Sequence, residues 1–141
     1  MDRIAAIDYG TVRIGLAMSD PRQIIAQPLD VLKTARNHQL TSSLIQDRLK
    51  PFYPIETILI GLPMHLNGKE SPMSLVVREF AKILECTLNI SIVLCDERLT
   101  TAFTERCLKE GGVSRKKRKD LIDSLTATVI LQTYLDKLKN T

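Results

Sequence analysis

Three short apolar segments at the start of the chain restrict its fold more than any other feature. Each has the length and composition of a core strand bounded by turn residues. The connections between them, built around Gly10-Thr11 and Asp20-Pro21-Arg22, are so short that they imply antiparallel neighbours. We therefore predict that the chain begins with three antiparallel strands. They span residues 3–8, 13–19 and 26–33.

Helices and strands then alternate to the end of the chain. Ser71-Pro72 predicts a helix start, because Ser caps free backbone N–H groups and Pro is tolerated at the first helical position. An earlier helix is predicted to end at Pro51 and Pro54 and to place four apolar residues on one face: Leu40, Leu44, Leu49 and Phe52. The other predicted elements are strands 57–61 and 91–95, a helix through Met73, Val77, Phe80, Leu84 and Leu88, and helices 101–109 and 120–139. This order predicts an α/β fold with helices on the faces of a five-stranded sheet.

Length and composition narrow the class of protein. With 141 residues, the chain has the size of one compact domain, and we expect a single domain over residues 1–141. No apolar stretch approaches a membrane span and no apolar leader follows Met1, so a cytoplasmic location without membrane contact is expected. The three cysteines include no Cys-x-x-Cys pair and no His cluster, which argues against a disulfide framework or a zinc site.

Three carboxylates occupy positions at which a sheet presents chemistry. Asp8 ends the apolar run of the first strand and precedes the turn at Gly10-Thr11. Glu97 follows the fifth strand, at the carboxyl end where α/β folds keep their ligand sites. Asp123 shares helical spacing with apolar residues at its i+4, i+7 and i+11 positions, and a carboxylate on such a stripe needs a partner.

Each acid also has a purely structural interpretation. Asp8 is an ordinary turn residue, and an acid at 96 or 97 complements a helix dipole. In the last helix, Asp120 as the cap would place Asp123 in the first turn, where free backbone N–H groups satisfy it. The recurrence of three acids in comparable settings favours function instead. Whether Asp96 or Glu97 is the second acid is left open.

Converging carboxylates are typical of a Mg²⁺ or Mn²⁺ site, because both ions take hard oxygen ligands and keep waters for substrate phosphates. A pair of such ions ~3.5–4 Å apart is suited to phosphodiester hydrolysis. A sugar hydrolase would need an aromatic cleft, whereas this chain has three Tyr, three Phe and no Trp. His38 and His65 have no nucleophile motif beside them. The acids therefore predict a metal-dependent nuclease.

A run of five basic residues lies between Gly111-Gly112 and the helix of Asp123. The net charge of +4 and the pI of about 9.1 permit a polyanionic partner, and this run concentrates positive charge next to the proposed acids. We expect this loop to bind a phosphate backbone, the alternative being a solvated surface. The run comprises Arg115, Lys116, Lys117, Arg118 and Lys119.

Four sequence blocks, in this order and spacing, resemble the YqgF/RuvX proteins over essentially the whole chain. They are Asp8-Tyr9-Gly10-Thr11 with Arg13-Ile14-Gly15-Leu16-Ala17, Ile60-Gly61-Leu62-Pro63, Asp96-Glu97-Arg98-Leu99-Thr100-Thr101, and Ile122-Asp123-Ser124-Leu125-Thr126-Ala127 with Ile130-Leu131-Gln132. The resemblance implies an RNase H-like fold, a mixed sheet of order 3-2-1-4-5 with helices on both faces.

The same resemblance implies a function. The family is described as nucleases that mature the ends of pre-16S ribosomal RNA, with Holliday junction resolution in DNA recombination inferred from relatives. Pre-rRNA is then the expected partner, with branched DNA and ribosome precursors as alternatives. By these motifs, the resemblance implies that Asp8, Glu97 and Asp123 are catalytic and bind the metals. It also implies that Gly10 and Thr11 form a turn beside the metals, that Arg98 contacts phosphate, and that Gly61 and Pro63 line the rim of the site.

Two other classes of protein match parts of the sequence. Asp-x-Gly-Thr also opens the actin-like ATPases, but those enzymes need a duplicated domain for which 141 residues are too few. A non-catalytic RNA-binding or ribosome-assembly factor would keep the fold without turnover, although retention of all three acids argues against it. The choice between RNA and DNA, the mode of cleavage and the oligomeric state are left open.

Overall fold

The structure is a computed structural model that describes residues 1–65, 67–96, 110–112 and 114–140. In its last helix the side chains are described from Leu125 onward. The predicted helix 101–109, Glu97 and Arg98 lie outside the described residues. The strands are β1 (Arg3–Tyr9), β2 (Arg13–Ser19), β3 (Ala26–Lys33), β4 (Ile55–Leu62) and β5 (Ser91–Asp96), and the helices are α1 (His38–Leu49), α2 (Pro72–Leu88) and α3 (Arg115–Lys139).

The five strands form one mixed sheet of order β3-β2-β1-β4-β5. β2 is antiparallel to both β1 and β3, as the short turns predict, whereas β4 is parallel to β1 and β5 is parallel to β4. Parallel neighbours need a crossover connection, and the helical segments after β3 and β4 supply it. The predicted sheet order is confirmed.

Alternation along the strands separates two apolar cores. On one face, α1 and α2 cover a core that includes Ile7, Ile14 and Phe80. On the other face, α3 covers a smaller core that includes Ala6 and Ala17. Since successive strand residues point to opposite faces, the core that a residue joins identifies its side of the sheet. Helices therefore cover both faces, as predicted.

The prediction of which face of α1 is buried is wrong in part. Leu49 is fully buried, but Leu40 and Leu44 are 42% and 44% exposed. The helix instead buries Thr41 and Ile45, which form an unbroken i, i+4, i+8 series with Leu49. The helix ends at Leu49, and a 3₁₀ turn from Lys50 to Phe52 contains the first of the two prolines. The helix therefore ends where the prolines predicted.

Helix α2 begins and ends as its sequence predicts. The Ser71 hydroxyl accepts a hydrogen bond from the Ser74 N–H at 3.2 Å, and Pro72 occupies the first helical position. At the other end Asn89 adopts a left-handed conformation with φ 56°, which Asn tolerates better than most residues. Both ends are therefore set by local residues.

Helix α3 begins at Arg115, five residues before the predicted start at Asp120. The basic run is thus helical backbone and not a loop, which corrects the sequence expectation. A block of cations opposes the dipole at a helix N-terminus, which disfavours this start. However, Lys and Arg have high helix propensity, and each residue added to a helix already anchored by packing gains a hydrogen bond.

Within the described residues, no helix has both the length and the apolar composition needed to cross a membrane.

Candidate active site at the end of strand β1

Asp8 lies one residue before the end of β1 and is half-buried. Ile7 belongs to the core under α1 and α2, whereas Ala6 belongs to the core under α3. Alternation therefore directs Asp8 to the face that α3 covers. The carboxylate thus lies on the same side of the sheet as the helix that carries Asp123.

Glycines flank Asp8 on both neighbouring strands. Gly15 is its direct partner across the antiparallel pair of β1 and β2. On the other side Ile7 pairs with Ile60, so Gly61, the next residue of β4, lies alongside Asp8. Neither neighbour places a side chain beside the carboxylate on this face. The predicted rim residue Gly61 is therefore adjacent to Asp8 and is buried.

The turn after β1 depends on a close backbone approach at Gly10. A Cβ atom at this position would lie 2.4 Å from the carbonyl oxygen of Arg13, which is too close for any side chain. The turn is also held from outside, because the Thr34 hydroxyl donates to the Gly10 carbonyl at 2.7 Å and the Thr34 N–H donates to the Val12 carbonyl at 2.9 Å. Thr11 is exposed at the tip of this turn.

Pro63 follows β4 and is fixed by the start of α2. The Ser71 hydroxyl, which caps α2, also donates to the Pro63 carbonyl at 2.9 Å. The Ser71 hydroxyl therefore joins the helix cap to the loop that leaves β4. Gly61 and Pro63 both lie at the end of the sheet where β1 ends, and their role as a rim stays a prediction.

An aromatic cluster supports the end of β1 on the opposite face. Tyr9 packs against Phe80 with ring centroids 4.7 Å apart and against His38 with centroids 5.9 Å apart. Burial raises the pKa of the Tyr9 hydroxyl above its ordinary value. His38, which has no nucleophile motif beside it in the sequence, packs against Tyr9 and Phe80 on the face of the sheet opposite Asp8.

Asp123 is the ninth residue of α3, counting from Arg115 as the first. The structural interpretation placed it in the first turn, satisfied by free N–H groups, but those groups belong to the first four residues of a helix. That interpretation is wrong, because Asp120 lies inside the helix and does not cap it. Four residues beyond Asp123 on the same helix, Ala127 is fully buried against the sheet.

The second acid of the predicted set follows β5. Asp96 is the last residue of that strand, pairs with Leu62 and is exposed. Two strand spacings of ~4.8 Å separate β5 from β1. Glu97 and Arg98 come next in the chain, outside the described residues. The choice between Asp96 and Glu97 therefore stays as the sequence left it.

The described part of the chain contains no group of three His, Cys, Asp or Glu side chains close enough to hold a metal ion. Of the three acids in the predicted set, only Asp8 has its side chain in that part. Its surroundings fit a hard divalent cation, because it offers carboxylate oxygens and the strands on both sides place glycines next to it. The donor type is therefore compatible with Mg²⁺ or Mn²⁺, and neither flanking glycine adds a side chain beside the carboxylate.

Comparison with known proteins identifies the family. The family model described as "RuvX: Holliday junction resolvase" matches residues 2–137. The chain belongs to the RuvX family. It is 42% identical over 134 residues to a protein of Dictyoglomus thermophilum named "Putative pre-16S rRNA nuclease", with 95% of each chain covered. A Bacillus subtilis protein with the same name is 41% identical over 141 residues, with 96% of this chain and 99% of that protein covered.

The fold of this RuvX protein is RNase H-like. It matches Thermus thermophilus RuvC, solved in complex with a Holliday junction substrate, with a TM-score of 0.54. The match has 14% sequence identity and covers 96% of this chain and 94% of that chain. At this identity the likeness concerns the fold, which agrees with the sheet order of the structure.

Two residues of α3 in this RuvX chain had no role in the sequence predictions. Gln132 ties α3 to the start of β3, because its Oε1 accepts from the Ala26 N–H at 2.9 Å and its Nε2 donates to the Ile24 carbonyl at 3.1 Å. Thr126 is fully buried on α3, one turn after Asp123, and in the described residues its hydroxyl has no hydrogen-bond partner. The signal in both cases is a polar residue within an apolar helical stripe.

Proposed function

We propose that this RuvX protein is a divalent-metal-dependent nuclease that hydrolyses phosphodiester bonds at the ends of pre-16S ribosomal RNA. One observation carries the proposal. Asp8 is directed to the sheet face that α3 covers, and α3 is the helix that carries Asp123. The proposal assigns two acids from separate elements to this interface, where a bound cation would offset the repulsion between their carboxylates.

In this proposal Asp8, Glu97 and Asp123 hold Mg²⁺ or Mn²⁺. The ions, when bound, supply an activated water and neutralise the charge that develops on the phosphate. The chain itself contributes position: the hydrogen-bonded turn at Gly10 and the aromatic packing of Tyr9 hold the end of β1 from both sides. Arg98, next to Glu97, is assigned to contact phosphate on the basis of the family motif alone.

The basic run supplies the second part of the proposal. Because α3 begins at Arg115, the five cations of the run occupy the first turn and a half of the helix that carries Asp123. The positive end of the helix dipole adds to their charge, so this end of α3 attracts anions more strongly than a loop of the same sequence. We assign the run to the phosphate backbone of the substrate.

Holliday junction cleavage is the second candidate, and the description of the matching family model favours it. Both substrates present phosphodiesters to the same acids, so the reaction is the same and the substrates differ in shape. The rate of cleavage of a pre-16S RNA with unprocessed ends, compared with that of a four-way DNA junction in the same assay, decides between the two substrates. Preferential cleavage of the junction would replace the RNA substrate in this proposal.

The catalytic assignment is tested by Asp8→Asn, Glu97→Gln and Asp123→Asn, each with Mg²⁺ or Mn²⁺ and with EDTA. Each variant should lose cleavage while keeping its melting temperature, since it removes a metal ligand and relieves repulsion between acids. Asp47→Asn is the matched control, because Asp47 is an exposed residue of α1. That helix covers the face of the sheet opposite Asp8. Cleavage by Asp8→Asn at the rate of the control would overturn the proposal.

A binding measurement separates a nuclease from an assembly factor without turnover. Mn²⁺ should raise the melting temperature of the parent protein but not that of Asp8→Asn, because the ion binds only the folded site. A protein that binds pre-16S RNA with no cleavage and no metal-dependent shift would be a non-catalytic binding factor.

The basic run is tested with a triple variant, Lys116→Gln, Lys117→Gln and Arg118→Gln, in the Asp8→Asn background. Gln keeps helix propensity, so the change removes charge with little effect on α3. The slope of log affinity against log salt should become shallower by roughly 2–3 units for duplex nucleic acid. A control with the same loss of charge changes three exposed lysines elsewhere, Lys50, Lys82 and Lys139, to Gln. Equal slopes for the two triple variants would show that the run is solvated surface.

A further inference from the structure

A cleft of about 280 Å³ lies between β5 and the C-terminal part of α3. This volume is close to the lower end of the ~300–1,000 Å³ range of small-molecule sites. The cleft therefore has room for one nucleobase or nucleoside, whereas a paired duplex is too large to enter it. Among the described residues, its lining includes Cys95, Asp96, Ile130, Thr133, Tyr134 and Lys137.

The strand register aligns this cleft with Asp8. Gly61, which lies alongside Asp8, pairs with Cys95 on β5. Cys95 packs against the core under α3, so it is on the sheet face to which Asp8 is directed. Two strand spacings, about 10 Å, separate Asp8 from Cys95, and Gly61 adds no side chain between them. A nucleic-acid strand on this face would therefore reach the cleft within a few nucleotides of the cleaved bond.

The lining combines apolar surface with one cation. Ile130 is buried and Tyr134 is half-buried, and unstacked bases bind to aromatic side chains of this kind. Lys137 is exposed, and its ammonium is close enough to Cys95 to oppose in part the rise in the thiol pKa that burial causes. Asp96 also lines the cleft and would repel a phosphate, so a phosphate is expected at Lys137.

We propose that this cleft binds an unpaired nucleotide of the substrate, with its base against Ile130 and Tyr134 and a phosphate on Lys137. A base can enter only where it is not paired and stacked in a duplex. The preferred substrate class is therefore nucleic acid that is single-stranded, or has an extruded base, close to the cleaved bond. The inference rests on the proposed nuclease function, since it assigns a substrate contact beside the same site.

The reactivity of Cys95 measures occupancy of the cleft, and the exposed Cys86 of α2 is an internal control. In the Asp8→Asn background, a single-stranded RNA at about ten times its Kd should slow iodoacetamide labelling of Cys95 about tenfold, because about a tenth of the sites stay empty. Labelling of Cys86 should not change. The same RNA annealed to its complement should protect Cys95 less, and equal protection by the duplex would overturn the requirement for an unpaired nucleotide.

A side chain that fills the cleft tests the same site by binding. Thr133→Trp starts from an exposed position, so it should keep the melting temperature but weaken binding of single-stranded RNA about tenfold. In the catalytically active background it should raise KM with little change in kcat. Ser43→Trp on α1 is the matched control, because Ser43 is also exposed. Each hydroxyl donates to the carbonyl four residues earlier.

The cation is tested separately. Lys137→Gln should make the slope of log affinity against log salt shallower by about 0.7 units for single-stranded RNA. Lys137→Arg keeps the charge and should bind like the parent. Lys139→Gln removes an exposed cation two residues later in α3, outside the lining of the cleft, and should also bind like the parent.

The outcomes separate the two proposals. If single-stranded RNA binds without slowing the labelling of Cys95, and Thr133→Trp binds like Ser43→Trp, the nucleotide site is overturned and the nuclease proposal stands. If AMP protects Cys95 and RNA does not, the cleft binds a free nucleotide and the substrate contact is overturned. If the parent neither binds nor cleaves any nucleic acid, both proposals are overturned.

Discussion

Asp8 lies directly opposite Gly15 across the antiparallel pair of β1 and β2. The two residues point to the same face of the sheet, and Gly15, which is buried, adds no side chain beside the carboxylate. Gly61 has the equivalent position on β4. The acid is thus held by two neighbouring strands without contact from their side chains, which is a suitable setting for a ligand that needs room for water or phosphate.

Gly15→Val tests this relationship. Val suits a strand better than Gly, but its side chain would lie about 5 Å from Asp8 and toward α3. We expect the cleavage rate to fall at least about tenfold. Crowding should change the free energy of unfolding by about 1–3 kcal/mol at most. Gly15→Ala should have an intermediate effect on cleavage. Measurements of kcat should decrease from the parent to Gly15→Ala to Gly15→Val, and denaturation curves give the stability of both variants. A parental kcat in Gly15→Val would contradict the prediction.

Gln132→Ala should loosen the attachment of α3 to the sheet. The change removes a part-buried hydrogen bond from the Ala26 N–H and two exposed ones, to the Ile24 carbonyl and to the Asp136 carboxylate. We expect the free energy of unfolding to fall by about 1–2 kcal/mol. Gln39→Ala is the control, because the Gln39 side chain bonds only to the exposed Thr87 hydroxyl in the described residues. Urea denaturation of both variants measures the difference, and equal effects would contradict the role of Gln132.

Thr126→Val should stabilise the protein. The Thr126 hydroxyl is fully buried and unbonded in the described residues, and Val has nearly the same shape and helix propensity without the hydroxyl. Removing an unsatisfied buried hydroxyl should raise the free energy of unfolding by about 1–2 kcal/mol. Thr133→Val on the same helix is the control, since the Thr133 hydroxyl is exposed and donates to the Val129 carbonyl at 2.8 Å. A lower melting temperature for Thr126→Val would show that the hydroxyl has a partner in the folded protein.

Cys95 should react slowly with thiol reagents. It is half-buried at a cleft of about 280 Å³ between β5 and α3, where burial raises the pKa of its thiol and Lys137 partly opposes that shift. At pH 8 a smaller fraction of the Cys95 side chain is therefore in the thiolate form than in an unstructured peptide. Cys86, in contrast, is exposed on α2. Iodoacetamide labelling from pH 7 to 10, followed by peptide mass spectrometry, should modify Cys86 first. Lys137→Ala should slow Cys95 further, and equal rates for the two cysteines would contradict the burial of Cys95.

Much of the fold follows from local sequence. The strands are visible because apolar residues occur in short runs between turn residues, and the two short turns require β2 to be antiparallel to its neighbours. The ends of α2 are equally local, since Ser71 and Pro72 begin it and Asn89 ends it. In the site, Asp8 and its turn were predictable for the same reason: each signal is contained within a few neighbouring residues.

Tertiary structure decided the features that depend on distant partners. Two apolar series compete in α1, and packing against α2 and the sheet selects Ile45 and Leu49 while Leu40 stays exposed. The true start of α3 at Arg115 places Asp123 beyond the first turn, where the sequence had offered a purely structural interpretation of it. The alignment of Asp8 with Cys95 across Gly61 depends on the strand register. Local residues set the type of each element, whereas burial and register depend on contacts between segments far apart in the chain.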